Sequence, residues 1–425
     1  MRGTPRELRL LIAAGVALFS TTAVAAPPVT LQEALRIFRA SAFDLLLADT
    51  ATEAARADLI TAGTLPNPTI SASRGTTSGY DPNVCAGCSN RAVSVGASDL
   101  AISDIASGRR KLRETVARAA LDAAVHSRAD VERNLELTLK QQLLQAELTQ
   151  KSLEFARQTQ ELSGRTFALT KKRYDAGAIS EVDVARADVQ RLEADQAVDA
   201  VSQALLAAKS QVAFLLATRD LPEVGDDLIR TFGQVAVARE ALLQRALAQR
   251  PDLAAARAQI ARAQSSLALA RRLRIPDFSP SLQYSQEGRG QSAIQPPTVT
   301  LGVSLPVPLF DRQRGEIARA RADLRAQEVT RDKIESQVAA DVTTSIAAFE
   351  TARSRAVRLQ TQLLPQAARA RDLVGLQYEK GAASLFEFLD AQRTFLAAQN
   401  EYLQSLNDYW TAVFQMEQAA GMELH

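Results

Sequence analysis

Two short segments hold the residue types and spacings most able to do chemistry. Arg173-Tyr174-Asp175-Ala176-Gly177-Ala178-Ile179-Ser180 recurs as Gln377-Tyr378-Glu379-Lys380-Gly381-Ala382-Ala383-Ser384. In each, a glycine interrupts a helical pattern where only a residue tolerant of positive φ reverses the chain cheaply. Ser180 and Ser384 are placed to cap the helix that follows, with Asp183 and Glu387 as capping-box partners. The chemistry on offer is chain reversal and carboxylate placement. No nucleophile–base constellation, phosphate-binding loop or Cys/His framework is readable, so no catalytic, cofactor-binding or metal-ligating residue is assigned, and an enzyme is not expected. His126 lies alone within a long helical run. Cys85 and Cys88 stand as Cys-Ala-Gly-Cys, and two thiols without a nearby His make half a zinc site. In an oxidising compartment the pair is expected to close a disulfide that pins its loop, with metal capture as the sharper alternative.

Long helices must position these turns. Arg109–Ser163, Ala178–Leu221, Glu316–Leu364 and Ala382–Ala420 contain neither Gly nor Pro. They are rich in Ala, Leu, Gln, Arg and Glu, all good helix formers. At about 1.5 Å per residue the first run spans roughly 80 Å, longer than a compact domain needs. Phe388, Phe395, Tyr402, Leu406, Tyr409, Val413 and Met416 fall at steps of seven, four and three, the repeat of coiled-coil-like packing. Pro365 sits inside a helical pattern and is expected to kink it.

Gly, Pro and Ser concentrate instead at 63–108 and 275–315, where the period changes to two. Val93, Val95 and Ala97 alternate with Ser94, Gly96 and Ser98, and Val299, Leu301 and Val303 alternate with Thr300, Gly302 and Ser304. Strands are expected at 67–75, 92–100, 278–286 and 298–307. Each has one apolar and one small polar face, the pattern of a membrane barrel strand. Polar loops join each pair.

The chain of 425 residues opens with Arg2, Arg6 and Arg9, an apolar run from Leu10 to Leu18, and Ala23-Val24-Ala25. This reads as a secretory signal peptide over 1–25. The formal net charge is +2, and losing the leader brings the chain near neutrality. Such a balance offers no basic field for nucleic acid. After the leader, no apolar stretch is long enough for a transmembrane helix.

The repeats decide the architecture. Besides the paired turns, Asp44-Leu45 recurs as Asp252-Leu253, and Leu65-Pro66-Asn67 as Ile275-Pro276-Asp277. The expected organisation is a tandem duplication: a first repeat at 26–221 with its tip turn at 173–181, a joining segment at 222–240, and a second repeat at 241–425 with its turn at 377–385. Four strands cannot close a barrel, because the smallest membrane barrels need about eight. Open sheet edges are not tolerated in lipid. The chain is therefore expected to oligomerise, with the long helices continuing the barrel as a hollow tube.

At this point the residues match a known family. The chain after residue 30 resembles the TolC-like outer-membrane efflux proteins, in its paired Tyr-x-x-Gly-x-x-Ser turns and in Arg250-Pro251-Asp252-Leu253. The resemblance implies a mainly α protein with membrane β: a homotrimer in which four strands per chain build a twelve-stranded β-barrel, continued by a long periplasmic α-helical barrel. It implies a passive exit duct in the outer membrane that serves an adaptor (membrane fusion) protein and an inner-membrane pump, of the resistance-nodulation-division type. Adaptor docking would fall on Tyr174, Gly177, Ala178, Ser180, Tyr378, Gly381, Ala382 and Ser384. If the family's gating pattern carries over, Tyr378 bonds Asp183 near the tip, and Glu387 and Asp390 line a constriction where carboxylate rings favour cations. One departure is that an arginine that helps lock some members is replaced here by Ala383. Leu305-Pro306-Val307-Pro308-Leu309-Phe310-Asp311-Arg312, followed by Gly315, looks most like the heavy-metal branch of cobalt-zinc-cadmium-type resistance pumps. The competing class is a soluble periplasmic coiled-coil scaffold or adaptor, which needs the helices but no amphipathic strand pairs.

Overall fold

The computed structural model describes residues 28–76, 91–225, 238–287 and 297–422. The leader, Cys85 and Cys88, and most of the joining segment lie outside these ranges. The first copy runs α1 (Leu31–Ser41), α2 (Phe43–Gly63), β1 (Thr69–Thr76), β2 (Arg91–Ser98), the short α3 (Ala101–Ala106), α4 (Arg109–Asp175) and α5 (Glu181–Leu215). The second runs α6 (Arg239–Gln249), α7 (Pro251–Arg272), β3 (Ser279–Glu287), β4 (Thr298–Ser304), α8 (Arg314–Arg358), α9 (Leu364–Glu379) and α10 (Leu385–Ala420).

Helix α4 is unbroken over 67 residues, about 100 Å of rod. It runs past Ser163, where the expected run ends, because Gly164 does not stop it. An isolated interior glycine costs only about 1 kcal/mol against alanine, which a packed helix tolerates. Its counterpart runs on from α8 into α9 through a single π turn, Leu359–Leu363. Pro365, in the first turn of α9, has no N–H and its ring would strike the carbonyl of Thr361 in a regular helix. The wider π turn relieves that clash where a kink is expected, and the helix runs on through it.

The strands form one antiparallel sheet in the order β1-β2-β3-β4. Gly96 lies opposite Ser71, and Gly302 opposite Ser281. A Cβ at Gly96 would stand 3.0 Å from the Ser71 hydroxyl, and one at Gly302 only 2.8 Å from that of Ser281. The same position in both copies is thus crowded by a serine of the facing strand, whose hydroxyl would have to turn aside for a larger residue. Among the described residues, the outer edges of β1 and β4 pair with no other strand. Ile70, Val299, Leu301 and Val303 are exposed along the sheet, an apolar face that suits lipid better than water.

The core sits at the waist of the rods. Leu144 and Leu148 of α4, Val338, Val342 and Phe349 of α8, and Tyr409, Val413 and Phe414 of α10 form its largest cluster. A second cluster packs α1 against α4 and α5 through Phe38, Leu139, Leu143 and Val212. Nearby, Val29 donates its N–H to the Glu223 carbonyl at 2.7 Å.

Buried charge stitches this layer. Lys140 donates to Glu417 at 2.8 Å with both side chains nearly closed off from solvent. Arg250 precedes Pro251 and is therefore extended. It reaches Asp252 at 2.6 Å, Asp341 at 2.9 Å and the Ala419 carbonyl at 3.4 Å. Burial alone would raise the Asp252 carboxyl, but bonding and charge from Arg250, with Arg133 behind it, outweigh this and hold it below its ordinary value.

Candidate functional site

The two repeated turns close the far ends of the long rods from the sheet. Each has the same geometry. Gly177 and Gly381 adopt φ of +74° and +77°. Ala178 donates to the Arg173 carbonyl at 2.9 Å and Gly177 to that of Tyr174 at 2.8 Å. Ala382 and Gly381 make the equivalent bonds to Gln377 and Tyr378 at 2.8 and 3.0 Å. This pair of bonds is the Schellman helix stop. Ser180 and Ser384 then start α5 and α10 with complete capping boxes. In the first, the Asp183 N–H donates to Ser180 Oγ at 3.4 Å, and the Ser180 hydroxyl donates to the Asp183 carboxylate at 2.9 Å. In the second, the Ser384 N–H and hydroxyl donate to Glu387 at 2.8 and 2.9 Å. Those two bonds hold the Glu387 carboxyl below its ordinary range.

The turns differ in how they meet. Tyr378 is 4 % exposed, whereas its repeat partner Tyr174 is 42 % exposed. Tyr378 stacks on Phe388 with ring centroids 5.1 Å apart, and packs with Ala187 and Leu385 in a small tip cluster. The Arg173 guanidinium lies over the Tyr378 ring at 4.5 Å and donates to the Tyr378 and Glu379 carbonyls, both at 3.2 Å. The first turn therefore clamps the second.

Within the chain, Tyr378 does not reach Asp183 as the family's gating pattern implies. Its hydroxyl lies 3.4 Å from that of Thr170 instead, and the Asp183 carboxylate accepts from Ser180. Ala383 packs beside the same tip cluster, and the cross-hairpin guanidinium comes from Arg173. Sequence reasoning missed Arg173, Thr170 and the stacking role of Phe388. The available signal was Arg173 aligned with Gln377, a difference inside an otherwise matched repeat. Asp390 stands apart from the caps, lining a groove of about 480 Å³ between α5 and α10 with Val182, Arg186, Val189 and Phe386.

Among the described residues, no group of acidic, His or Cys side chains could hold a metal ion, and no helix is long and apolar enough to cross a membrane.

A duplicated chain with a lipid-facing sheet at one end and matched helix stops at the other defines a membrane-anchored helical duct. The outer membrane efflux protein model matches it twice, over residues 34–218 and 242–422, and the chain belongs to that family. It is 23% identical over 401 residues to the cobalt-zinc-cadmium resistance protein CzcC of Cupriavidus metallidurans, covering 93% of this chain and 91% of that one. It is 29% identical over 304 residues to the pyoverdine export outer membrane protein OpmQ of Pseudomonas aeruginosa, covering 70% and 63% of the two. Its fold matches a crystal structure of a membrane protein from Pseudomonas aeruginosa with a TM-score of 0.79, at 20% identity and over 92% and 90% of the two chains. The fold is TolC-like, and the protein is the outer-membrane channel component of a tripartite efflux system, with a periplasmic helical extension. The soluble-scaffold alternative is thereby set aside.

Proposed function

We propose that three copies of this chain close a twelve-stranded barrel and form a passive, non-enzymatic exit duct for a heavy-metal export system. An inner-membrane pump of the resistance-nodulation-division type supplies the energy, and an adaptor docks at the tip through Tyr174, Gly177, Ala178, Ser180, Tyr378, Gly381, Ala382 and Ser384. The open outer edges of β1 and β4 support the oligomer, because unpaired strand edges are costly in lipid. The observation that carries the duct is the pair of like helix stops, each with a capping box, at the end of the rods opposite the sheet. The metal cargo is supported by the likeness to the cobalt-zinc-cadmium resistance protein along nearly the whole of both chains. Siderophore export is the second reading, on the likeness to the pyoverdine export protein over a shorter span.

At the aperture, Asp390 and Glu387 supply the carboxylates that a ring of three chains would present to cations, with Asp183 and Tyr378 beside them. A deletion strain tested against zinc, cobalt, cadmium and copper, and for pyoverdine secretion, separates the readings. Sensitivity to the metals is expected. Unchanged metal tolerance with lost siderophore secretion would overturn the cargo and leave the duct.

A further inference from the structure

We propose that the collar where the second repeat's sheet meets its helices binds an anionic phospholipid of the periplasmic leaflet. The headgroup phosphate is taken by Arg274, Arg312 and Arg314, and an acyl chain lies over Val307, Leu309 and Phe310. The proposal rests on the outer-membrane location given above.

The apolar face of β4 does not stop where the strand stops. Leu301 and Val303 are exposed on the strand, and Leu305, Val307 and Leu309 continue as exposed residues beyond Ser304, ending in a Phe310 that is 100 % exposed. So long a run of large apolar side chains has a cost in water that an acyl chain would remove. This segment lies at the helix end of the sheet, hence at the periplasmic face of the membrane.

The cations are at the same end. Arg274 follows α7, and Arg312 and Arg314 precede and open α8. All three are exposed, and none makes an ion pair or hydrogen bond with another described residue. Their neighbours are committed. Arg109 is bound to Asp277 and to the Ile275 carbonyl at 2.6 Å, and Arg272 to the Ser107 carbonyl at 2.8 Å. Of the local carboxylates, one is paired with a cation and the other is only hydrogen-bonded. Asp277 is taken by Arg109, and Asp311 accepts from the Gln313 N–H at 2.8 Å. Against the three guanidiniums stand the carboxylates of Asp311 and Glu316, neither in an ion pair with a described residue, so the collar keeps a net positive charge beside apolar surface. A cavity of about 630 Å³ brings Arg274 beside Leu305 and Val307, with Pro276, Asp277 and Asp311 also in its lining. A guanidinium binds phosphate through two parallel hydrogen bonds while its stem lies along apolar surface, and basic residues at a membrane face select anionic lipid.

The first repeat provides an internal contrast. Its junction also exposes Leu100, Ile102 and Ile105. Its charges are fewer and mostly engaged: Arg113 pairs with Asp104 at 2.7 Å, and Asp99 accepts from the Ala101 N–H at 2.7 Å, while Lys111 is exposed. Among the described residues, the cluster of three exposed arginines is found at the second junction and not at the first.

The test uses purified full-length protein in detergent, titrated with fluorescent dioleoyl phosphatidylglycerol or dioleoyl phosphatidylcholine. The wild type is expected to bind phosphatidylglycerol at least tenfold more tightly. R274Q/R312Q/R314Q is expected to erase that preference, while R319Q/R321Q/R325Q, an equal charge change farther along α8, leaves it intact. Phe310→Ser is expected to weaken both lipids alike. Equal binding of the two lipids by the wild type overturns the proposal without reference to any variant. So does unchanged preference in the collar variant, or displacement of the lipid by inorganic phosphate at millimolar concentration. Outer-membrane fractionation of the wild type, run in parallel, shows separately whether the location itself fails.

Discussion

At the waist, Lys140 and Glu417 pair in the interior, and Arg250 joins α7, α8 and the end of α10 through carboxylates and a carbonyl. At the tip, the two turns are joined by one guanidinium, Arg173, laid over one buried ring. The first arrangement is nearly closed off from solvent and lies beside the main apolar cluster, where a charge that loses its partner is poorly hydrated. The second sits over a cluster of three buried residues, Ala187, Tyr378 and Leu385, with solvent close by. The rods are therefore fixed at mid-height and lightly held at their ends. A duct whose ends move while its middle stays assembled requires that distribution.

The largest expected effect tests the waist. Lys140→Met leaves Glu417 buried opposite an apolar side chain, and losing one partner of a buried pair costs about 3–5 kcal/mol. The expected readout is a lower thermal midpoint of the whole assembly, substantially restored in Lys140→Met/Glu417→Leu. A single variant as stable as wild type would break the comparison, because the waist pair would then be no more binding than the tip. Next is Arg173→Ala, which removes two carbonyl bonds and a cation–π contact, about 2–3 kcal/mol where they are desolvated. Here hydrogen exchange is expected to quicken at 377–386, and single-channel conductance to rise, with little change in the global midpoint. A fall in the midpoint as large as that of Lys140→Met would show the tip to be part of the cooperative core.

Third, Gly381→Ala and Gly177→Ala each place a Cβ at positive φ. Nothing stands within 4 Å of either added atom. The cost is therefore conformational only, about 1–2 kcal/mol per site. Parallel exchange measurements on the two variants sharpen the comparison. Gly381→Ala is expected to loosen the Tyr378–Arg173 clamp, whereas Gly177→Ala loosens only its own turn.

Much of this was legible because it is written in short-range chemistry. The turns were readable from Gly177, Gly381 and their serines, since a helix stop and a capping box are local devices. The strands expected at 67–75, 92–100, 278–286 and 298–307 are found at Thr69–Thr76, Arg91–Ser98, Ser279–Glu287 and Thr298–Ser304. Alternation marks their faces well, but their ends only to a residue or two, or three for β4. The extension of α4 through Gly164 was not readable, because tertiary packing overrides one weak propensity. The waist network was invisible for a different reason. Lys140 and Glu417 look like ordinary helix-surface charges, and only the crossing of α4 with α10 buries them together. The tip clamp needs the same kind of knowledge, since Arg173 and Tyr378 lie about half the chain apart.

The smallest expected effect concerns acid. Glu387 is held below its ordinary pKa by Ser384, so its cap contributes fully above the carboxyl's unfolded value. That contribution is lost as pH falls through the lower folded value. Asp252 at the waist is also held low, but by Arg250 in a partly buried site. Protonating Glu387 frees only two exposed hydrogen bonds at the start of α10. Protonating Asp252 leaves the buried Arg250 short of one of its two carboxylates. On acidification below the ordinary carboxylate range, amide exchange at Phe386–Phe388 is therefore expected to quicken by a small factor. The fall in the thermal midpoint is expected to follow Asp252 rather than Glu387. Glu387→Gln keeps part of the cap without the titration, and should remove the pH dependence of exchange at the tip while leaving that of the midpoint. If instead it abolishes the pH dependence of the midpoint, the tip carboxylate governs the whole assembly and the division between waist and tip fails.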